Sequence, residues 1–249
     1  MNTKILLQGN FSRNKVICKY HKLSSRKIDP VIEDKAIQIW KSKVKEAKAA
    51  GKKIWDQPVY RLEKYRTAGN KCELEFSTIS FSIRSSIKDF TEELVKKGGG
   101  YLPMAVYSSI FIEAADGNFV FGEKSDKYVA NRKYSYIGGV FNRSDADKEV
   151  DLFAAALGEV KEELGVKQRD IKDARLLGAL RSESCNVAMV FYCRLKLDRK
   201  EILAKFGQQN DNEMKNLFFA RRRDLRDVGV NKIGKEPELV DIFTRGIDG

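Results

Sequence analysis

Apolar and polar residues alternate through KILLQG and KVICKYHKL, which predicts two short strands near the start of the chain. Asp29-Pro30 comes next, an N-cap residue followed by a proline suited to the first helical position. From there Ile32, Ile39, Trp40, Val44 and Ala47 recur at roughly helical spacing as far as Gly51, predicting a long helix with that face inward. VYRLEKYR and KCELEFSTISFSI alternate like strands across the turn Ala68-Gly69-Asn70. A second helix is predicted over 85–97, with Ile87, Phe90 and Leu94 inward. It ends at Gly98-Gly99-Gly100, the clearest boundary signal in the chain.

Beyond the glycines the period returns to two. MAVYSSIFIEA and FVFGEKS flank Asp116-Gly117-Asn118, a hairpin signal of the Asp-Gly type. NRKYSYIGGVF reads as extended, and a polar loop leads to a helix over 150–164. ARLLGALRS and NVAMVFYCRLKL read as strands, EILAKF and EPELVDIFTRG as helices. Strand pairs around an intervening helix predict an α/β (α+β) layered fold with a mixed sheet over residues 99–249, preceded by a smaller α+β region over residues 1–98.

Composition changes this picture in two ways. Residues 1–100 hold 22 Lys+Arg against 11 Asp+Glu, whereas the remainder holds 25 against 24, so nearly all of the net charge of +12 sits in the N-terminal part. Such a region attracts phosphates or nucleic acid by its long-range field, although a lysine-rich helix is as often simply a solvated one. Second, His21 is the only histidine, and Cys18, Cys72, Cys185 and Cys193 form no CxxC pair. That nearly excludes a zinc site or a histidine-based triad. No apolar run reaches the ~18 to 20 residues of a membrane span, and MNTKILLQGNFSR lacks the pattern of a signal peptide. The expected location is cytoplasmic, with no membrane partner.

The segment LGEVKEELGV places Glu159, Glu162 and Glu163 within about a third of a helical circumference, with Phe153, Leu157, Val160 and Leu164 nearly opposite. Gathered carboxylates repel, and a bound hard cation reverses the sign of that interaction. From these ten residues alone a solvated charged face is the commoner reading. The order around them says more: an extended segment, Gly138-Gly139, a loop, the helix with ExxEE, then Gly165-Val166. This resembles the box of the Nudix hydrolases, G-x5-E-x7-R-E-U-x-E-E-x-G-U, whose second half Glu159, Val160, Glu162, Glu163, Gly165 and Val166 match in order and spacing. The resemblance extends from about residue 101 to the C-terminus and implies a Nudix-type α/β/α sandwich. Two positions depart from the box. The arginine before the first helix glutamate is Gly158, and the early glutamate falls on Val150, with a loop about five residues longer than the consensus. In the family that arginine holds a metal-binding glutamate in place. Asp151 and Glu149 stand near the missing glutamate without occupying its position. IWDQPVYRLEKY and LEFSTISFSIRSSIKDF ahead of the box are also similar to the N-terminal extension of eukaryotic-type Nudix proteins that cleave UDP-glucose.

What the resemblance implies is a Mg²⁺-dependent diphosphatase, with Mn²⁺ as the alternative ion, acting on a nucleoside diphosphate linked to another group. A nucleotide sugar stands ahead of ADP-ribose. The metal ligands would be Glu159, Glu162 and Glu163 with the main-chain carbonyl of Gly139. The catalytic base would come from Glu162, Glu163 or Glu213, the last lying ahead of a short strand in NDNEMKNLFFARRRDL. Arg132, Lys133 and Arg181 are the candidate phosphate cations, though each taken singly is more often a surface residue, and Tyr136 is the candidate base-stacking residue, with core packing the commoner outcome for such a tyrosine. Other readings stay open: an RNA-cap hydrolase, or a module that binds nucleotide or RNA without catalysis. Family members are often homodimers.

Overall fold

The computed structural model describes residues 3–52, 54–125, 133–143, 149–208, 213–234 and 237–248. In the N-terminal part the elements are β1 (Lys4–Phe11), β2 (Val16–Tyr20), α1 (Pro30–Ala49), β3 (Pro58–Ala68), β4 (Lys71–Ser80), α2 (Phe81–Ser86) and α3 (Thr91–Lys97). After the glycines come β5 (Val106–Glu113), β6 (Asn118–Lys124), β7 (Tyr134–Ser135), α4 (Leu152–Leu164), β8 (Ile171–Arg181) and β9 (Val187–Leu195). The chain ends with α5 (Arg199–Phe206), β10 (Met214–Arg221), the single turn α6 (Leu225–Asp227) and α7 (Glu238–Asp248).

A seven-stranded sheet runs β1-β8-β9-β5-β6-β10, with β7 paired to β6. It is mixed, since β5 and β9 are parallel and the other pairs antiparallel. Side chains alternate across it, as the pleat requires. Ile110, Ile112, Val120, Phe191 and Cys193 share one core with Phe153 and Val160 of α4. Phe111, Phe119, Phe121, Val190 and Tyr192 share the other with Leu239, Ile242 and Phe243 of α7. Helices thus cover both faces, the layered α+β arrangement expected. Among the described residues no helix is long and apolar enough to cross a membrane.

The N-terminal residues are woven into this structure. β1 is an edge strand of the large sheet, paired with β8. β2, β4 and β3 form a three-stranded sheet of their own. From β3, Tyr60 N–H donates to Phe141 O at 2.9 Å and Leu62 N–H to Met104 O at 2.9 Å, and Arg143 N–H donates back to Pro58 O at 2.8 Å. Ile32, Leu62 and Phe76 belong to the same core as Ile110 and Phe191, so packing runs continuously across the 98/99 line.

Local chemistry explains where the elements begin and end. Asp29 caps α1, accepting from Val31 N–H and Ile32 N–H, and Gly51 beyond its end has φ +65°. The buried residues of α1 are Ile32, Ala36 and Ala47, while Ile39, Trp40 and Val44 are half-buried. Two expectations are corrected. The strand expected to continue through Phe81-Ser82-Ile83 stops at Ser80, whose partner is Pro58, the first residue of β3. Asp56 then accepts from Ser82 N–H at 2.8 Å and α2 begins. The single helix expected over 85–97 is instead the end of α2, a 3-10 turn at Ile87–Phe90, and α3.

A polar cluster sits inside the N-terminal part. Arg61 is 2% exposed and donates to Leu102 O at 2.9 Å, and Arg26 donates to Leu62 O and Glu63 O. Glu63 accepts the hydroxyls of Ser24, Ser25 and Ser77. Burial pushes the Glu63 carboxyl up, but the three hydroxyls and Arg61 outweigh it and hold it below its ordinary value. Burial also pulls Arg61 down to about 10.

Glu63→Ala should therefore lower stability in urea at neutral pH by about 3 kcal/mol, roughly 1 for each lost hydrogen bond. The stabilisation from a depressed carboxyl is complete above the ordinary value of 4.5 and disappears as pH falls through the folded value. Glu63→Gln should accordingly show a shallower loss of stability below pH 4.5 than the parent protein.

Candidate active site

α4 carries the glutamates. Its start is set by Asp151, whose carboxylate accepts Ala154 N–H at 2.9 Å and also pairs with Arg13 from the turn after β1. Its end is set by Gly165 in the left-handed conformation at φ +67°. Leu152, Phe153, Ala156, Leu157, Val160 and Leu164 are buried, with Phe153 edge-on to Phe191 at 5.3 Å. This is the inward face expected of the helix.

The three glutamates do not share one environment. Glu162 is exposed and Glu159 half-buried, but Glu163 is only 2% exposed, so it is not on a solvated face. The 159/163 edge of the helix meets the Gly138-Gly139 turn. Gly138 N–H donates to Glu163 Oε1 at 3.4 Å. A Cβ on Gly139 would lie 2.5 Å from the Glu159 carboxylate, and one on Gly138, whose φ is +134°, would lie 2.7 Å from Ser108 O. Two glycines are what let the turn approach both the helix and β5 this closely. Ser108 fixes it from below: its N–H donates to Gly139 O at 2.8 Å, and its hydroxyl accepts Gly139 N–H at 3.1 Å.

A third carboxylate arrives from the other side of the sheet order. Met214 opposite Lys124 sets the register of β10 on β6, which places Glu213 beside Lys124, 3.4 Å from its Nζ. Ser125 N–H also donates to Glu213 O at 2.8 Å. Burial holds the Glu163 carboxyl well above the ordinary range, the charges of Glu213 and Glu159 add to the effect, and the Gly138 N–H and Lys124 oppose it. Glu159, Glu163, Glu213 and Lys124 therefore occupy one electrostatic neighbourhood.

This donor set suits a hard divalent cation. Oxygen ligands are gathered against mutual repulsion, and the cradle is shaped by glycines that a side chain would fill. Among the described residues no three acidic, histidine or cysteine side chains already converge as a finished ligand set. The Gly139 carbonyl is engaged by Ser108, so the clearest contribution of Gly139 is its missing side chain.

The cation and aromatic expectations are partly corrected. Arg132 lies outside the described residues. Lys133 is exposed, 3.3 Å from Glu123, with its Nζ over the Tyr134 ring at 5.3 Å. Arg181 stands at the end of β8 beside Lys4 and Val187 and makes no described contact with the glutamates. Tyr136 is 4% exposed and packs against Phe111 and Phe121 in the α7-side core, so its ring is not offered to a ligand. Its position in the pleat sends it to the opposite face of the sheet from α4. Val150 is buried at 8% and Asp151 is committed to the helix cap. Lys124 and Ser108 were missed in the sequence because only strand register brings them to Glu213 and Gly139.

Gly158 is unlike Gly138 and Gly139, because a Cβ there meets nothing within 4 Å. Gly158→Ala should thus raise stability by about 0.5–1 kcal/mol as an ordinary mid-helix replacement. Gly138→Ala should lower it by roughly 1–3 kcal/mol through backbone strain and contact with Ser108. Paired thermal melts of the two variants check both signs.

No family model matches this chain, and no curated protein matches it. Solved structures do. DR0079 from Deinococcus radiodurans is 15% identical over 57% of this chain and 82% of its own, with a TM-score of 0.41. A C. elegans Ap4A hydrolase binary complex is 16% identical over 58% and 98%, at 0.37. A bifunctional NMN adenylyltransferase/ADP ribose pyrophosphatase from Francisella tularensis is 13% identical over 67% and 47%, at 0.41.

Proposed function

We propose that this protein is a Nudix-type hydrolase that uses a divalent cation, Mg²⁺ ahead of Mn²⁺, to split a nucleoside diphosphate linked to another group. The observation that carries the reading is the burial of Glu163 against Gly138, with Glu159 and Glu213 acting on it. Two of those glutamates belong to the Nudix-like box, and the third comes from the segment before β10. A nucleotide sugar is the favoured substrate and ADP-ribose the next, giving a nucleoside monophosphate and a phosphorylated product.

Glu159, Glu162 and Glu163 would hold the cation, Glu162 from the exposed side. When bound, the ion neutralises phosphate oxygens and orients the attacking water. Glu213 lies at the edge of the cluster, partly exposed and 3.4 Å from Lys124 Nζ, a placement suited to accepting a proton from water. Lys124 itself supplies a positive charge where phosphate oxygens would approach. Gly158 favours the second reading, a nucleotide-binding module without turnover, since the supporting arginine of the box is absent.

A panel of nucleotide sugars, ADP-ribose, dinucleotide polyphosphates and capped RNA, assayed for phosphate-containing products with Mg²⁺ or EDTA, separates the two. Metal-dependent turnover reduced about 10²-fold or more in Glu163→Gln or Glu213→Gln supports the hydrolase. Absence of turnover across the panel, with nucleotide binding retained, supports the module. In EDTA, Glu163→Gln should melt above the parent protein because it removes a charge from a crowded buried position, and Mg²⁺ should stabilise the parent but not the variant. Gly158→Arg fits the open space and should raise turnover if an arginine there can still steady a glutamate.

A further inference from the structure

Helix α1 carries a line of cations on its exposed side. Lys41, Lys45 and Lys48 are spaced i, i+4 and i+7, which puts them within about 60° of one another around the axis and spreads them over about 10 Å. Lys52 continues the line past the Gly51 turn, where its N–H donates to Ala47 O at 2.8 Å. All four lysines are exposed, and none makes an ion pair among the described residues. Over residues 41–56 the chain has six lysines against two acids, Glu46 and Asp56, and both acids are engaged elsewhere. Glu46 stands about 100° or more off the line and acts on Lys43, while Asp56 accepts Ser82 N–H at 2.8 Å at the start of α2. Asp34 lies on the line about 10 Å before Lys41 and ends the basic stretch there.

An aromatic platform follows directly. Trp55 comes three residues after Lys52, which keeps the two within about 11 Å along the chain. Trp55 is 42% exposed, and its ring lies on Phe81 with centroids 4.2 Å apart and a 30° tilt. Trp40 meets the same Phe81 ring edge-on at 6.0 Å, and the Arg84 guanidinium stands over it at 5.2 Å. The indole is therefore held in place by its neighbours while part of it stays open to solvent. Cations that follow phosphates and an exposed aromatic on which a base stacks are the two parts of a single-strand site. A duplex keeps its base faces inside the stack, so such a platform selects unpaired bases. An anionic lipid surface would also attract the lysines, but a helix lying in a membrane inserts its apolar face. That face of α1, with Ile32, Ala36 and Ala47, is buried against the protein. We propose that α1 and Trp55 form a track that binds single-stranded nucleic acid, on residues separate from the carboxylate site and without a metal.

The test is fluorescence anisotropy of the full chain in EDTA with a labelled oligouridine of about twelve nucleotides, repeated over a series of salt concentrations. One variant combines Lys41→Gln, Lys45→Gln and Lys48→Gln. A second is Trp55→Leu, which keeps apolar contact with Phe81 and has no ring face. The charge control combines Lys172→Gln, Lys196→Gln and Lys200→Gln, three exposed lysines outside α1. Expected is binding at least about tenfold weaker in the α1 lysine variant, with the slope of log affinity against log salt shallower by about 2. Binding should be at least about fivefold weaker in Trp55→Leu and unchanged in the control. The assignment is overturned by absence of strand binding at low salt, by equal weakening in the control, or by unchanged affinity in Trp55→Leu. Inorganic polyphosphate or a duplex of the same length competing as well as the single strand also overturns it. Tighter association with vesicles of equal parts phosphatidylcholine and phosphatidylserine than with the strand overturns it too, and makes α1 a membrane-facing helix. The substituted side chains are exposed, and thermal melts confirm that the fold is kept; if Trp55→Leu unfolds, the lysine variants and the polyphosphate competition decide by the same criteria.

Discussion

The burial of one carboxylate, Glu163, is the constraint around which the rest of the site is arranged. A charged oxygen pair at 2% exposure between two further glutamates is costly in a protein interior, and burial accordingly drives its proton affinity up. What holds it there is the packing of α4. Phe153, Val160 and Leu164 lock one edge of the helix to the sheet, and the neighbouring edge has no choice but to face the Gly138-Gly139 turn. Apolar burial along the helix thus offsets electrostatic crowding on its flank.

The N-terminal residues contribute to that arrangement as structure as well as charge. β1 closes one edge of the large sheet, and Arg13 after it pairs with the residue that caps α4. β3 hydrogen-bonds to the segments flanking β5 and the glycine turn, through Met104, Phe141 and Arg143. Part of the basic excess of this region is consumed internally: Arg61 and Arg26 sit in the cluster around Glu63, and Lys97 binds the cap residue Asp29 at 2.7 Å. Net charge counted along a sequence therefore overstates the field offered to a partner.

The sheet also separates charge by face. Carboxylates and Lys124 gather at the α4 side, and arginines gather at the α7 side. Aromatic packing between them, with Phe111 stacked on Phe243 at 4.5 Å and Tyr136 against Phe121, keeps the two regions apart.

Periodicity and turn chemistry were enough to read most strands, the α4 helix with its inward face, the Asp29 cap and the Asp-Gly hairpin, because each depends on neighbours within one turn or one strand. Glu159, Glu163 and Glu213 were candidates in the sequence, the first two through the box-like order of elements and glycines around them and the third from its place before a strand. Tertiary structure alone decided that Glu163 is buried while Glu162 is exposed, because the roll of a helix on its sheet leaves the pattern of apolar residues along it unchanged. It also decided that Lys124 meets Glu213, since antiparallel register joins positions 89 residues apart. The packed sheet also decided between core and ligand for Tyr136: alternation shows that residues two apart share a face, and only the fold shows which face it is.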